Sequence, residues 1–292
     1  MNISRYSVRW RQIIHKPLIM LARIFLKHRV KLMQSGYTPD GKPTIFAFTH
    51  IFKDDIASVL CSLQRSAHLL CAGETGLQKR FEGALLRLNG VIWVDRGDKT
   101  SRTESMHSMK TVLHQGGDIL IAPEANWNHT PNLLVLKMWW GLFDVAIATN
   151  ANIVPVAVDL IDNRYCVLIG EKFNYAQYSK KTDAIVALRD TMATMVWELF
   201  EMKAVQSRTE ITDECWLHFI RGESERTPWH HPEMEERFTF RPMGEISLGE
   251  LLAEMHGIDH KSMAADYETH KHIERLIEGW TKSTRGPNSN IS

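Results

Sequence analysis

The chain predicts an α/β fold: a mixed, largely parallel sheet covered by helices on both faces, preceded by amphipathic helices and followed by a mainly helical extension. Three observations carry that expectation. Between residues 40 and 206, short apolar runs bounded by turn formers alternate with segments of helical period, the pattern of a sheet buried on both faces. Residues 1–39 hold a basic amphipathic stretch, and from 207 to 292 apolar segments shorten while charges and histidines accumulate. At 292 residues, 44% hydrophobic and 24% charged, the chain has enough apolar mass for one large core and an appendage.

The N-terminal stretch is strongly one-signed. Arg5, Arg9, Arg11, Lys16, Arg23, Lys27, Arg29 and Lys31 all precede the first acidic residue, Asp40. This points to an anionic surface, whereas an overall formal charge of +1 gives no reason to expect a nucleic-acid partner. The apolar run Leu18 to Leu26 is broken by Arg23 and is too short to cross a bilayer; no small-residue cleavage site follows it. Residues 5 to 33 read as one or two amphipathic helices with Trp10, Ile13, Ile14, Leu18, Leu21 and Phe25 on the apolar face. Such a face either lies among lipid headgroups or packs on the protein's own core, and the sequence leaves both open. Cys61, Cys71, Cys166 and Cys215 form no CxxC pair and read as reduced residues of a cytosolic protein.

After a turn at Gly36 to Pro43, strands are expected near 44–49, 68–73, 91–95, 118–122, 153–159 and 165–170. Ser101 and Glu104 form a capping box for a helix that Gly116-Gly117 ends. A further helix is expected from about 181 to 204, with Ile185, Leu188, Met192, Met195, Val196 and Leu199 facing the core. No internal repeat is present. Beyond 207, modest helices are expected near 212–221, 247–256 and 262–281, and Ser283 to Ser292 read as a disordered tail.

Four segments carry chemistry. His50 follows the apolar run Thr44 to Thr49, with Asp54 and Asp55 four and five residues on. A histidine whose second nitrogen is held by an acid is a general base, and no serine or cysteine nucleophile stands at a recognised spacing. The base would therefore deprotonate an acceptor hydroxyl that attacks a carbonyl directly. A continuous helix would favour Asp54; a strand that ends at His50 before the helix begins would favour Asp55. Taken alone, the stretch also reads as a strand-end histidine and two helix-capping carboxylates. Gly90 to Arg96 is a strand with a charged exit, where Arg96 either grips an anion or pairs with Asp95. Ile121-Ala122-Pro123-Glu124 ends a second strand on a carboxylate, and Ile153 to Val158 carries Pro155 inside a third, which fits an edge, a bulge or a pocket wall.

These segments, in this order over about residues 40 to 175, resemble the glycerolipid acyltransferase family, the group that contains bacterial 1-acylglycerol-3-phosphate acyltransferases. The resemblance places His50 and Asp55 on its His-x4-Asp motif, Arg96 on its acceptor-phosphate arginine, Glu124 on its Pro-Glu-Gly motif and Pro155 on its fourth motif. It implies transfer of a fatty acyl group from acyl-CoA or acyl carrier protein to a lysophospholipid hydroxyl. His50 and Asp55 would be catalytic, while Arg96, Glu124, Lys53 and Trp127 would bind substrate. Backbone amides after His50 would meet the oxyanion, with no metal and no cofactor beyond the thioester. It also implies a cytoplasmic protein, peripheral at the inner face of the membrane.

Two departures stand out. Thr49 replaces the usual Asn, and Glu124-Ala125-Asn126-Trp127 replaces Glu-Gly-Thr-Arg, so Arg96 acts alone or with Lys53, Lys99 or Lys137. The alternatives are therefore an idle lipid-binding protein of the same fold, an acyltransferase for a lyso-lipid other than lysophosphatidate, or a thioesterase. His129 stands near Trp127 as a possible pocket residue, and Trp139 and Trp140, adjacent on a helix, cannot share a face. His256, His260, His270 and His272 match no zinc signature and read as solvated helix faces.

Overall fold

A computed structural model describes residues 5–26, 29–51, 54–63, 65–72, 79, 81–128, 133–139 and 141–202. The expectations for residues 207–292, including the helices, the tail, the four histidines and Cys215, lie outside the described residues, as do those for Lys53, His129 and Trp140.

The inner strands form where apolar runs allow burial on both sides. In chain order the strands are β1 (Arg29–Ser35), β2 (Thr44–Phe48), β3 (Ala67–Ala72), β4 (Ile92–Val94), β5 (Asp118–Ile121), β6 (Asn152–Ile161) and β7 (Arg164–Ile169). They make one sheet in the order β1-β7-β6-β2-β5-β3-β4. All neighbours are parallel except β6 and β7. The helices are α1 (Arg5–Phe25), α2 (Asp55–Ser62), α3 (Phe81–Leu88), α4 (Lys99–His114), α5 (Gly141–Thr149) and α6 (Lys181–Glu201).

Alternation along β2 divides the core. Ile45 and Ala47 face a layer that holds Val112 of α4, Phe143 of α5 and Leu188 of α6. Phe46 and Phe48 face the opposite layer with Val59 and Leu60 of α2. Because β2, β3, β4 and β5 run parallel, their carboxyl ends share one edge of the sheet, where open α/β sheets present ligands.

Two expectations need correction, and a third, open between edge, bulge and pocket wall, is narrowed. The N-terminal helix stops at Phe25, and residues 29–33, expected to be helical, belong to strand β1, which runs parallel to β7. β1 is an edge strand, exposed along most of its length, so it lacks the double-sided apolar pattern that marks the inner strands. Helix α4 begins at Lys99 with Asp98 as its N-cap, whose carboxylate accepts from the Thr100 and Ser101 amides. Ser101 does not cap; its hydroxyl accepts from the Asp95 amide at 2.9 Å. Pro155 lies in the inner strand β6, not at an edge. Its carbonyl accepts from Gly170 at 2.9 Å, one position before the β7 pairing begins at Val156, so its missing N–H interrupts no ladder bond there.

Helix α1 has two distinct sides. One packs inward through Val8, Arg11 and His15, all buried. Along the other, Trp10, Ile13, Met20 and Ile24 are 59%, 70%, 70% and 76% exposed, in steps of three, seven and four residues that keep them on one stripe. Arg11, counted among the cations for an anionic surface, is instead sealed inside. It donates to the Asn89 carbonyl and side-chain oxygens, to the Ala67 carbonyl at 3.3 Å and to His15 Nδ1 at 3.4 Å. Burial lowers its pKa to about 10. No described helix is long and apolar enough to cross a membrane.

Candidate active site

The site grows from the exit of β2. The strand ends at Phe48, and His50 lies in the extended linkage before α2 begins at Asp55. That linkage settles which acid meets the ring. Both Asp55 oxygens lie against His50 Nδ1, at 3.0 and 2.9 Å, and Oδ2 also accepts from the Ile51 amide at 2.7 Å. Asp55 is fully buried, and the His50 side chain is 15% exposed. Nδ1–H therefore donates to the carboxylate, which leaves Nε2 as the acceptor nitrogen. Trp127 meets it there: the indole Nε1–H donates to His50 Nε2 at 2.6 Å, with the two rings at 88°.

Glu124, at the exit of β5, is buried and engaged on both oxygens. Oε1 accepts from the His50 amide at 3.2 Å and Oε2 from the Leu136 amide at 2.7 Å. Burial pushes its carboxyl up to about 8 against the pull of those two donors, and the Asp55 charge adds to the rise. Its geometry is that of a brace between the His50 backbone and the segment 133–139, and it does not line the cavity. The Asn128 amide reinforces the brace by donating to the His50 carbonyl at 2.7 Å. Thr49, in place of the usual Asn, accepts from the Val158 amide at 3.0 Å and so ties β2 to β6.

A cavity of about 960 Å³ opens beside His50. Exposed Arg96 and Arg102 stand at its rim with Asn126 and Trp127, and apolar side chains such as Leu69, Met109 and Leu142 line its depth. Leu18, Ile19 and Ala22 of α1 complete the wall. Arg96, just beyond β4, donates to the Ala125 carbonyl and, at 3.5 Å, to Asn126 Oδ1. Arg102, in the first turns of α4, donates to the Arg96 carbonyl, which sets its guanidinium against the Arg96 backbone at the same cavity.

The structure thus brings His50, Asp55, Arg96 and Trp127 together. Lys99 and Lys137 do not line the cavity; Lys137 sits 5.9 Å above the Trp139 ring. Arg102 lines it although no sequence signal marked it, because a helix arginine six residues after Arg96 looks like any solvated charge. Of the amides expected to meet an oxyanion, that of Ile51 is engaged by Asp55, and those of residues 52 and 53 lie outside the described residues. Among the described residues, no cluster of His, Cys, Asp or Glu is suited to a metal ion.

An apolar depth with a cationic rim and a carboxylate-steered imidazole can hold an anionic amphiphile and remove a proton from it. Residues 29–159 match a family model described as Acyltransferase. The fold is similar to that of the 1-acyl-sn-glycerophosphate (LPA) acyltransferase PlsC from Thermotoga maritima, with a TM-score of 0.54 over 68% of this chain and 83% of that one, at 16% identity. At that identity the likeness is one of fold. No curated protein matches this chain.

Proposed function

We propose that this chain, whose residues 29–159 match the Acyltransferase model, acts as a glycerolipid acyltransferase: it moves a fatty acyl group from acyl-CoA or acyl carrier protein to a lysophospholipid hydroxyl, with 1-acyl-sn-glycerol-3-phosphate the leading acceptor. The observation that supports this reading best is the His50–Asp55 pair beside a cavity whose rim carries Arg96 and Arg102. In the proposed reaction His50 Nε2 takes the acceptor hydroxyl's proton, and the oxygen attacks the thioester carbonyl. The C–S bond then breaks and the leaving thiolate takes the proton from the imidazolium. Asp55 holds the ring in the required tautomer and balances its charge. Arg96 and Arg102 grip the phosphate, and the apolar depth receives hydrocarbon.

The intact His50–Asp55 geometry argues against an idle lipid-binding protein. Trp127 in place of the usual arginine favours a second acceptor reading, a lyso-lipid with a head group other than a bare phosphate. The exposed stripe on α1, with Arg9, Lys16 and Arg23 on the same helix, supports a peripheral place on an anionic bilayer.

The test is His50→Ala, assayed for thiol release and lipid product with lysophosphatidate, neutral and zwitterionic lyso-lipids and both thioester donors. Loss of general-base catalysis lowers kcat by about 10²–10⁴ in a variant that circular dichroism shows to be folded. Turnover retained in that variant refutes the reading.

A further inference from the structure

Trp127 occupies the one nitrogen through which His50 can act. Nδ1 is committed to Asp55, and the indole N–H stands 2.6 Å from Nε2. An indole is a donor only, so while this bond lasts the imidazole can neither accept a proton from a hydroxyl nor from water. The segment that carries the indole is held under tension. Ala125 has φ of +59°, a left-handed conformation that an alanine adopts only under constraint. The turn is closed by the Ala125 amide, which donates to the Ala122 carbonyl at 3.0 Å, and Arg96 clamps it from the rim by donating to the Ala125 carbonyl and to Asn126. The guanidinium that holds this segment is thus also one of the two cations at the cavity rim.

From this arrangement we infer that Trp127 is a specificity-determining residue that screens His50 from water until an anionic head group reaches Arg96. An anion at Arg96 competes with the Ala125 carbonyl for the same N–H groups, loosens the strained segment and lets the indole leave Nε2. The screened side reaction is hydrolysis. In it, water gives a proton to Nε2, its oxygen attacks the thioester carbonyl, the C–S bond breaks, and the thiolate leaves with that proton, giving free fatty acid and thiol. An alcohol carried by an anionic lipid unlocks the base that it uses, whereas water alone does not. The inference rests on the reading of His50 as the general base.

The experiment uses the full chain and palmitoyl-CoA with no acceptor, and measures thiol release. Trp127→Phe keeps an aromatic ring and removes the donor; losing one hydrogen bond corresponds to about a tenfold rise in hydrolysis, abolished in the double variant with His50→Ala. In the unaltered protein, inorganic phosphate, an anion with no alcohol to acylate, raises hydrolysis severalfold. The same phosphate has no effect in Arg96→Gln. This arm needs no Trp127 variant and stands even if that variant folds poorly. Hydrolysis within twofold of the unaltered protein in a folded Trp127→Phe, or no response to phosphate, overturns the inference while His50→Ala still abolishes transfer. Transfer that survives His50→Ala overturns the functional reading itself. His50-dependent hydrolysis unleashed by Trp127→Phe in a protein that acylates no acceptor upholds the screen and refutes the transferase.

Discussion

Replacing Asp55 by Asn isolates the charge from the shape of the pair. The buried carboxylate holds His50 Nδ1 at 2.9 Å and the Ile51 amide at 2.7 Å through Oδ2. An Asn carbonyl oxygen in the place of Oδ2 keeps its contacts with Nδ1 and the Ile51 amide, so the linkage between β2 and α2 survives, while the NH2 group replaces the oxygen 3.0 Å from Nδ1. What disappears is the negative charge that faces the imidazolium as Nε2 takes a proton. With charge centres about 4 Å apart and an effective dielectric near 20, that attraction is about 4 kcal/mol. A transition state with the proton half to fully transferred loses about 2–4 kcal/mol, so kcat falls about 30-fold to 1,000-fold. The acceptor KM barely moves, because Asp55 lies behind the ring and does not line the cavity. Steady-state thiol release with varied acceptor, alongside thermal melting, reads both quantities. A folded Asp55→Asn that keeps more than a third of the original kcat, or one whose loss falls entirely on KM, refutes the reasoning.

Arg102→Gln removes one charge-assisted contact, worth about 1.5–3 kcal/mol, and raises the KM for lysophosphatidate about tenfold to a hundredfold; an equal change for a neutral monoacylglycerol would rule out a head-group role. Burial lowers His68 to about 4 from an ordinary 6.5, with the Arg11 charge adding and the Gly90 carbonyl opposing. The unfolded chain protonates first, so this histidine's contribution is complete above pH 6.5 and about 3 kcal/mol is lost as pH falls to 4. His68→Leu flattens that part of the stability profile in denaturant titrations, and an unchanged slope contradicts it. Ile13→Asp with Ile24→Asp removes two side chains from the α1 stripe, each worth about 1.5 kcal/mol or more in an apolar environment, and cuts binding to anionic vesicles about a hundredfold. Sedimentation with vesicles that shows no difference would exclude the stripe as the docking face.

How much the sequence disclosed followed from how local each cause is. β2 and β5 announce themselves because every residue in them is buried, and after Thr44 and Asp118 at their starts each is an unbroken apolar run. β1 does not, since its place depends on pairing with β7, more than a hundred residues away. The choice between Asp54 and Asp55 turned on the register of one short linkage, which the Ile51–Asp55 bond fixes and no periodicity encodes. The α1 residues separated in the same way: Trp10, Ile13 and Leu21 face out, while Leu18 turns to the cavity. Sequence spacing drew one face where the helix has two. The indole–imidazole bond joins positions 77 residues apart and Arg102 meets Arg96 across a loop, so neither could be seen before the fold was known.

Arg11 adds a mechanical consequence. The Arg11 guanidinium, carried by α1 and sealed against the Asn89 turn, works as a rivet, because peeling the helix away would take the donor from the buried Asn89 oxygens. If the outer stripe of that helix sinks into lipid, the catalytic body cannot drift as a float on a slack tether. Its opening then keeps a fixed position relative to that helix, set by a single riveted joint.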